Sequence, residues 1–297
     1  METIFDQPLI ESRRTRAIRA SVEGADFLMT LAAEELAGRL AVVERRFERA
    51  AVLHGATPAV AQALAATGKV GAIERVELPG TATGPGAGAD QIASLETVPF
   101  APATMNLVVS PLALHLTNDT PGAFIQIRRA LAPDGLFLAA IPGAGTLQEL
   151  REVLLQAESE ITGGASPRVI PFADVRDIGG LLQRAGFALP VTDVETYTVR
   201  YASLFSLMKD IRAMGMTNPL ATRSRIPVSK RFFLRAAELY AERFSDPDGR
   251  IRASFSVIYA SGWAPHESQQ KPLKPGSARM SLADALNPSH PRPETRK

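Results

Sequence analysis

The sequence predicts an α/β protein whose core is a doubly wound, mostly parallel β-sheet. Short apolar runs alternate with amphipathic helical stretches between residues 51 and 161. Longer β-branched runs with alternating polarity follow towards the end of the chain. Repeated strand–helix units favour a parallel sheet with helices on both faces. In such a sheet, ligands bind beyond the carboxyl ends of the strands.

The first half of the chain supplies four predicted strands and three predicted helices. The strands are Ala51–His54, Ala72–Leu78, Met105–Ser110 and Leu136–Ile141. The helices lie near Pro58–Thr67, Thr120–Leu131 and Thr146–Ile161. Thr120 is the expected N-cap of the second helix, and Pro121 suits its first turn.

The N-terminal part precedes these units and is predicted to be helical. Residues 1–22 carry closely spaced arginines, which we interpret as a solvated helix face. A second helix follows, with Asp26 as its expected cap.

The second half of the chain adds further elements of both kinds. They are a helix from Asp174 to Gly186, a strand at Val191–Tyr201, helices at Phe205–Met214 and Lys230–Phe244, and a strand at Arg252–Gly262. The segment Gly80–Ala89 is rich in glycine and alanine and is predicted to be a flexible loop. We expect an N-terminal helical segment (1–48), a central domain (49–264) with a helical insertion at about 203–244, and an extended arm (265–297).

Composition excludes several classes of function. The chain has 297 residues and a net charge of +2, which gives no sign of a nucleic-acid surface. It has no cysteine, which excludes disulfides, thiolate metal sites and a cysteine nucleophile. The four histidines show no metal-ligand spacing, so no metal is expected. There is no apolar run of about 20 residues and no secretory signal, so we expect a cytoplasmic protein, with peripheral contact to a membrane left open.

Several stretches resemble the class I S-adenosylmethionine-dependent methyltransferases, which have a seven-stranded sheet. VPFAPATMNLVVSPLALHLTND (98–119) is similar to that family's pattern LPF…FDLVVS…LHWVND. GGASPRVIPFADVRDIGGLLQRAGF, MKDIRAMGMTN and GWAPHESQQKPLKPGSA resemble a narrower group, the α-proteobacterial and mitochondrial assembly factors of respiratory complex I. That group is related to the malonyl-carrier-protein methyltransferase of biotin synthesis. Its mitochondrial member is regarded as an arginine hydroxylase, so the resemblance implies a protein substrate or partner, such as a complex I subunit.

The resemblance assigns the cofactor loop to AVLHGATPAV (51–60), where the family reads LDLG-x-x-x-G. Glycines in such a loop let the backbone approach the cofactor closely. Here Val52 stands at the family's acidic position, and His54 and Pro58 stand at its glycines, which leaves Gly55. We therefore expect a weakened or lost loop for S-adenosylmethionine.

Three more positions belong to the same implied site. Glu77 keeps the carboxylate that the family uses on the ribose hydroxyls. Ser94 stands in place of the aspartate that faces adenine, and Asn106 in place of the aspartate of FDLVVS. The candidate cofactor contacts are therefore His54, Gly55, Glu77, Ser94 and Asn106, and no catalytic residue is assigned.

Three hypotheses about function stay open. The chain is an enzyme, a methyltransferase or a hydroxylase on the same scaffold, if Glu77 and the 53–58 turn still hold the nucleotide. It is a non-catalytic pseudoenzyme that binds a protein if His54, Pro58 or the Gly80–Ala89 loop fills the pocket. A methyltransferase for a small carboxylate is the weaker third, because the C-terminal motif resembles the assembly factors more. His115 is expected to be structural.

Overall fold

The computed structural model describes residues 3–81, 88–164 and 166–270. Most of the predicted Gly80–Ala89 loop and the arm beyond residue 270 lie outside the described residues. The chain divides into two compact units, Met1–Pro265 and His266–Lys297. In the second unit, His266 Nδ1 lies 2.7 Å from Ser268 Oγ.

Eight α-helices lie in the described part of the chain. They are α1 (Gln7–Ala20), α2 (Phe27–Ala41), α3 (Ala59–Ala66), α4 (Thr120–Ala130), α5 (Gln148–Thr162), α6 (Val175–Arg184), α7 (Leu204–Ala213) and α8 (Lys230–Phe244). Seven strands accompany them. They are β1 (Phe47–Leu53), β2 (Val70–Glu77), β3 (Gln91–Ile92), β4 (Met105–Pro111), β5 (Leu131–Pro142), β6 (Ala188–Tyr201) and β7 (Ile251–Trp263).

The seven strands form one mixed sheet in the order β3-β2-β1-β4-β5-β7-β6. The pairs among β1 to β5 are all parallel, and β7 runs antiparallel to both β5 and β6. The strand order reverses at β1 and β4, so their carboxyl ends open a crevice between them. Such a switch point is where doubly wound sheets bind ligands.

Helices cover both faces of the sheet, as the alternating side chains of the strands require. On β1, Ala50 and Val52 pack with α2, α3, α5, α7 and α8. Ala51 and Leu53 point the other way and pack with α4 and α6. This confirms the predicted doubly wound, mostly parallel, seven-stranded α/β fold.

The predicted strands and helices all form, with differences of detail at their ends. The N-cap of α4 is Asp119, whose side chain accepts a hydrogen bond from Gly122 N at 2.9 Å, and not Thr120. Pro121 lies in the first turn, as predicted. Asp26 precedes α2 but makes no capping side-chain hydrogen bond.

The arginine-rich helix α1 is not simply a solvated face, and this interpretation was wrong. Arg16 and Arg19 are exposed, but Arg14 is 7% exposed. The segment before α1 is fixed by Asn118, whose Oδ1 accepts hydrogen bonds from Ile4 N and Phe5 N at 2.8 Å. Helix α1 is therefore held beside the carboxyl ends of the strands.

Candidate functional site

The candidate site lies where β1, β2 and β4 end. His54 follows β1, Glu77 is the last residue of β2, and Leu112 follows β4. Adjacent parallel strands bring these ends to one edge of the sheet, and α1 places Arg14 against the same edge. The site is thus assembled by three strands and one helix that are far apart in sequence.

The turn after β1 keeps a backbone that favours glycine without having glycine there. His54 has φ +58° and Ala56 has φ +61°. Thr57 N donates to Gly55 O at 2.6 Å, which closes the turn tightly. Left-handed backbone costs a non-glycine residue about 1–2 kcal/mol. The backbone at His54 therefore has the left-handed conformation that favours glycine, the residue that the family has there. In this chain a bulky imidazole occupies the position instead.

The imidazole of His54 fills the space beside this turn. The residue is 4% exposed, and the cavity between it, Leu95, Thr97 and Ser110 measures about 10 Å³. That volume holds about one water molecule. Burial, assisted by the positive charge of Arg14, lowers the pKa of His54 to about 3, so the ring is neutral. A neutral, enclosed ring is a packing element on this side of the turn.

The carboxylate of Glu77 is already engaged. It is 2% exposed, and one oxygen accepts a hydrogen bond from Ala56 N at 3.0 Å. The other oxygen pairs with Arg75 at 3.0 Å. Burial raises the pKa of Glu77. Glu77 therefore ties the end of β2 to the turn after β1, and about half of the acceptor positions of its carboxylate are already used.

Arg14 is a site residue that the sequence analysis missed. Its guanidinium donates to Leu112 O at 2.9 Å and to His54 O at 3.5 Å. Burial lowers its pKa, and the charge of Glu77 opposes that effect. No carboxylate in the described chain forms an ion pair with it. One signal was available: Ile10 and Arg14 are four residues apart and share the buried face of α1.

An open cleft lies on the other side of the turn. It measures about 530 Å³ and extends from Arg14 and Leu112 over the 55–58 turn to Met214 and the 21–26 segment. Its size is in the range of small-molecule sites. Pro58 lines this cleft and does not close it.

The structure brings together four of the five predicted cofactor contacts. Gly55 lies between His54 and Ala56 in the turn, and Ser94 lies against His54 through its backbone. The Ser94 hydroxyl is 3.1 Å from Thr97 Oγ1. Asn106 lies apart, because it is near the amino end of β4, where its Oδ1 accepts a hydrogen bond from Arg49 N at 3.2 Å. Its side chain is therefore at the edge of the sheet opposite the candidate site.

The site edge also carries buried polar atoms that have no hydrogen-bond partner in the described chain. They are His54 Nδ1, Thr57 Oγ1, Arg75 Nε, Ser110 Oγ and His115 Nδ1. Buried polar groups are usually satisfied, and unpaired ones point to ordered water or a ligand. All five lie at or near the carboxyl ends of β1, β2 and β4. His115 packs against Phe172, with ring centroids 6.1 Å apart, as expected for a structural role.

The residues present fit S-adenosylmethionine poorly. The unpaired polar atoms and the cleft beside Arg14 suit a polar ligand. The nucleoside half needs room beside Glu77, and here the buried ring of His54 occupies that room, while Ala56 N and Arg75 already bond the Glu77 carboxylate. No step of a reaction is therefore assigned to this cofactor.

Two other kinds of site are absent from the described residues. No group of three histidine, aspartate or glutamate side chains is arranged to hold a metal ion in that part of the chain. Among the helices of the described ranges, none has the length and apolar character of a membrane span.

The sheet order and the crevice define the class: the fold is that of the class I methyltransferases. Residues 50–139 match a family described as a methyltransferase domain. A candidate methyltransferase from Bacillus halodurans superposes with a TM-score of 0.50 at 16% identity, covering 79% of this chain and 99% of that one. The YcgJ protein of Bacillus subtilis gives 0.52 at 15% identity, covering 78% and 99%. These solved structures show the fold alone.

Curated relatives show which methyltransferase-like proteins this chain is similar to in sequence. "Arginine-hydroxylase NDUFAF5, mitochondrial" is 41% identical in Danio rerio over 65% of this chain, and 42% identical in Homo sapiens over 65% of it. The chain spans 60% and 56% of the length of those two relatives. The "Malonyl-[acyl-carrier protein] O-methyltransferase" of a Methylovorus strain is 36% identical over 68% of this chain and 62% of its own length. The resemblance inferred from the sequence is confirmed: the chain is similar to both groups.

Proposed function

We propose that this chain is a methyltransferase-like assembly factor that acts on a protein partner, a subunit of respiratory complex I, through a scaffold whose cofactor site is degenerate. The observation that carries the proposal is His54, a buried side chain on a left-handed backbone position where the family has glycine. The similarity to the arginine-hydroxylase group, at 41–42% identity in the two relatives above, supports the assembly role. The expected cytoplasmic location stays part of this proposal, although those relatives are named mitochondrial.

The proposal favours binding over catalysis at this edge. Filling of the pocket by His54 was the feature expected of a non-catalytic pseudoenzyme. Engagement of Glu77 by Ala56 N and Arg75 points the same way. The protein partner would then be recognised by surfaces away from the crevice.

A second candidate function is an enzyme that still binds S-adenosylmethionine. Its specific support is the cleft of about 530 Å³ beside Arg14 together with the unpaired buried polar atoms. Binding would require the His54 ring to leave its position. The chemistry would then be methylation or hydroxylation of a protein.

The test is calorimetric titration of the full chain with S-adenosylmethionine. We expect the wild type to give no heat and no thermal shift at millimolar ligand. The variant His54→Gly removes the ring from a position where glycine is unstrained, so any gain of binding in it identifies the ring as the obstruction. The variant Glu77→Gln is the matched control, because it keeps the shape of the carboxylate and removes its charge.

Micromolar binding by the wild type that weakens strongly in Glu77→Gln would contradict the degenerate site and establish the second candidate. Absence of binding in the wild type supports the proposal. Pull-down of a complex I subunit by the wild type and by His54→Gly would then show whether assembly depends on the crevice.

A further inference from the structure

A second concavity lies away from the turn after β1. It measures about 420 Å³ and is formed by α1, α7 and the loops 166–168 and 217–224. Five arginines line this arginine pocket: Arg13, Arg16, Arg168, Arg212 and Arg223. Among the described residues that line it, none is acidic. So dense a positive lining is costly unless an anion balances it.

Only two of the five arginines have a carboxylate partner. Arg168 pairs with Glu158 at 2.7 Å, and Arg223 pairs with Asp6 at 3.0 Å. The other three form no ion pair within the described chain, and of them Arg13 feels the charge of Asp6 from farther away. Three of the five positive charges are therefore left without an ion pair. A phosphate dianion together with one further oxyanion would balance them.

Arg13 shows the effect of this excess. Its guanidinium donates to Thr217 O at 2.9 Å and to Asn218 O at 2.6 Å, which fixes it in place but cancels no charge. Burial lowers the pKa of Arg13, the positive charges of Arg223 and Arg16 lower it further, and the charge of Asp6 opposes them. Arg16 and Arg212 are exposed, with their donors open to a ligand.

The shape of the site favours a compact anion. The arginines line one concavity instead of following an extended groove, as an acidic peptide would require. Arg13 and Arg168 also line a neighbouring apolar cavity of about 80 Å³, which includes Ile170 and Phe172. A ligand could therefore place an anionic group among the guanidiniums and a small apolar group beside it.

We propose that the arginine pocket binds the phosphate group of a phosphorylated ligand. Guanidinium groups pair with phosphate oxygens through two parallel hydrogen bonds, and a dianion balances more of the excess charge than one carboxylate does. The phosphate can belong to a soluble phosphomonoester or to a lipid headgroup. Ile226, two residues past Ser224 at the pocket, is 79% exposed and would suit a membrane surface. This site goes beyond the proposed function and does not depend on the crevice.

The experiment uses the full chain and two probes. Inorganic pyrophosphate is titrated calorimetrically, and vesicles of phosphatidylcholine with and without phosphatidic acid are tested by flotation. The variants are Arg16→Gln and Arg212→Gln, which remove exposed side chains without a carboxylate partner, so the fold should be kept. Arg184→Gln on α6 is the matched control, because Arg184 is an exposed arginine outside the pocket.

We expect pyrophosphate binding that weakens about tenfold in each pocket variant, the loss of one charge-assisted contact, and stays unchanged in Arg184→Gln. Arginine-dependent binding confined to phosphatidic-acid vesicles would also support phosphate recognition and would assign it to lipid. The proposal is overturned if neither probe binds, if the pocket variants bind as the wild type does, or if succinate binds as tightly as pyrophosphate.

Discussion

His54 is buried and His115 is half-buried, and the charge of Arg14 acts on both rings. Burial, assisted by the charge of Arg14, lowers the pKa of each ring to about 3 from 6.5. Both rings are neutral in the folded protein, and each has an unpaired Nδ1. Neither ring therefore carries, near neutral pH, the proton that a general acid would donate.

The free energy of unfolding should therefore fall in acid. The unfolded chain takes up these two protons below about pH 6.5, whereas the folded chain takes them up only near pH 3, so stability is full above pH 6.5 and is lost as pH falls. The expected slope is about 1.4 kcal/mol per pH unit for each histidine. Glu77, whose pKa is raised, acts in the opposite direction. Denaturant unfolding at pH 7.5 and 5.0 measures the net effect.

Variants separate the histidine contribution from that of Glu77. His115→Gln should lose about half of the histidine-dependent slope, because it removes one of the two groups. His266→Gln, at an exposed position, should leave the slope unchanged. An unchanged slope in His115→Gln would show that this ring is not held neutral in the folded chain.

At the scale of elements, α1 is the helix whose position most affects the site. Its buried face carries Ile10 and Arg14, and Arg14 reaches the carbonyl oxygens that end β1 and β4. The helix begins at Gln7, and the side chain of Asp6 caps it by accepting a hydrogen bond from Leu9 N. The sequence of α1 is largely polar, and the helix is nevertheless fixed to the sheet by Arg14. The apolar stem of that side chain is buried, and its charged end bonds the carbonyl oxygens.

Arg14→Ala should destabilise the protein by about 2–3 kcal/mol, because it leaves Leu112 O without its donor and opens a cavity beneath α1. Arg19→Ala should behave like the wild type, since Arg19 is exposed at the end of the same helix. Guanidinium denaturation of both variants gives the comparison. Equal stability of the two would mean that Arg14 does not hold α1 in place.

At the scale of the unit Met1–Pro265, the sheet separates two layers of helices and couples them through its central strands. Phe137 on β5 is fully buried between Phe124 of α4 and Phe187, with ring centroids 5.7 Å and 5.4 Å apart. The one tryptophan, Trp263, lies at the end of β7 and packs on Phe47 of β1. The fluorescence of Trp263 therefore reports on the helix layer on the other face of the sheet from Phe137.

Phe137→Ala should destabilise this unit by about 3–5 kcal/mol, the cost of the lost burial and the cavity left behind. Unfolding followed by far-ultraviolet circular dichroism and by Trp263 fluorescence should shift together if the layers unfold as one. Phe205→Ala, which removes a half-exposed ring from α7, is the control and should shift little. Separate transitions for the two signals would contradict a single cooperative unit.

The sequence alone determined the order of strands and helices, because periodicity and turn residues are local properties of the chain. The family resemblance grouped His54, Gly55, Glu77 and Ser94, and the structure places them together because β1, β2 and β3 end at the same side of the sheet. The prediction of helix caps was less accurate. Asp119 and Thr120 can both cap α4, and the geometry of their side chains decides between them.

Only the tertiary structure decided how these residues are used. Burial of Arg14, engagement of Glu77 by Arg75 and Ala56 N, and the ring of His54 in the space beside the turn depend on contacts between elements distant in sequence. The same holds for Asn106, which the resemblance grouped with the site but which lies at the opposite end of its strand. Charge compensation and packing act through space, so a local pattern cannot report them.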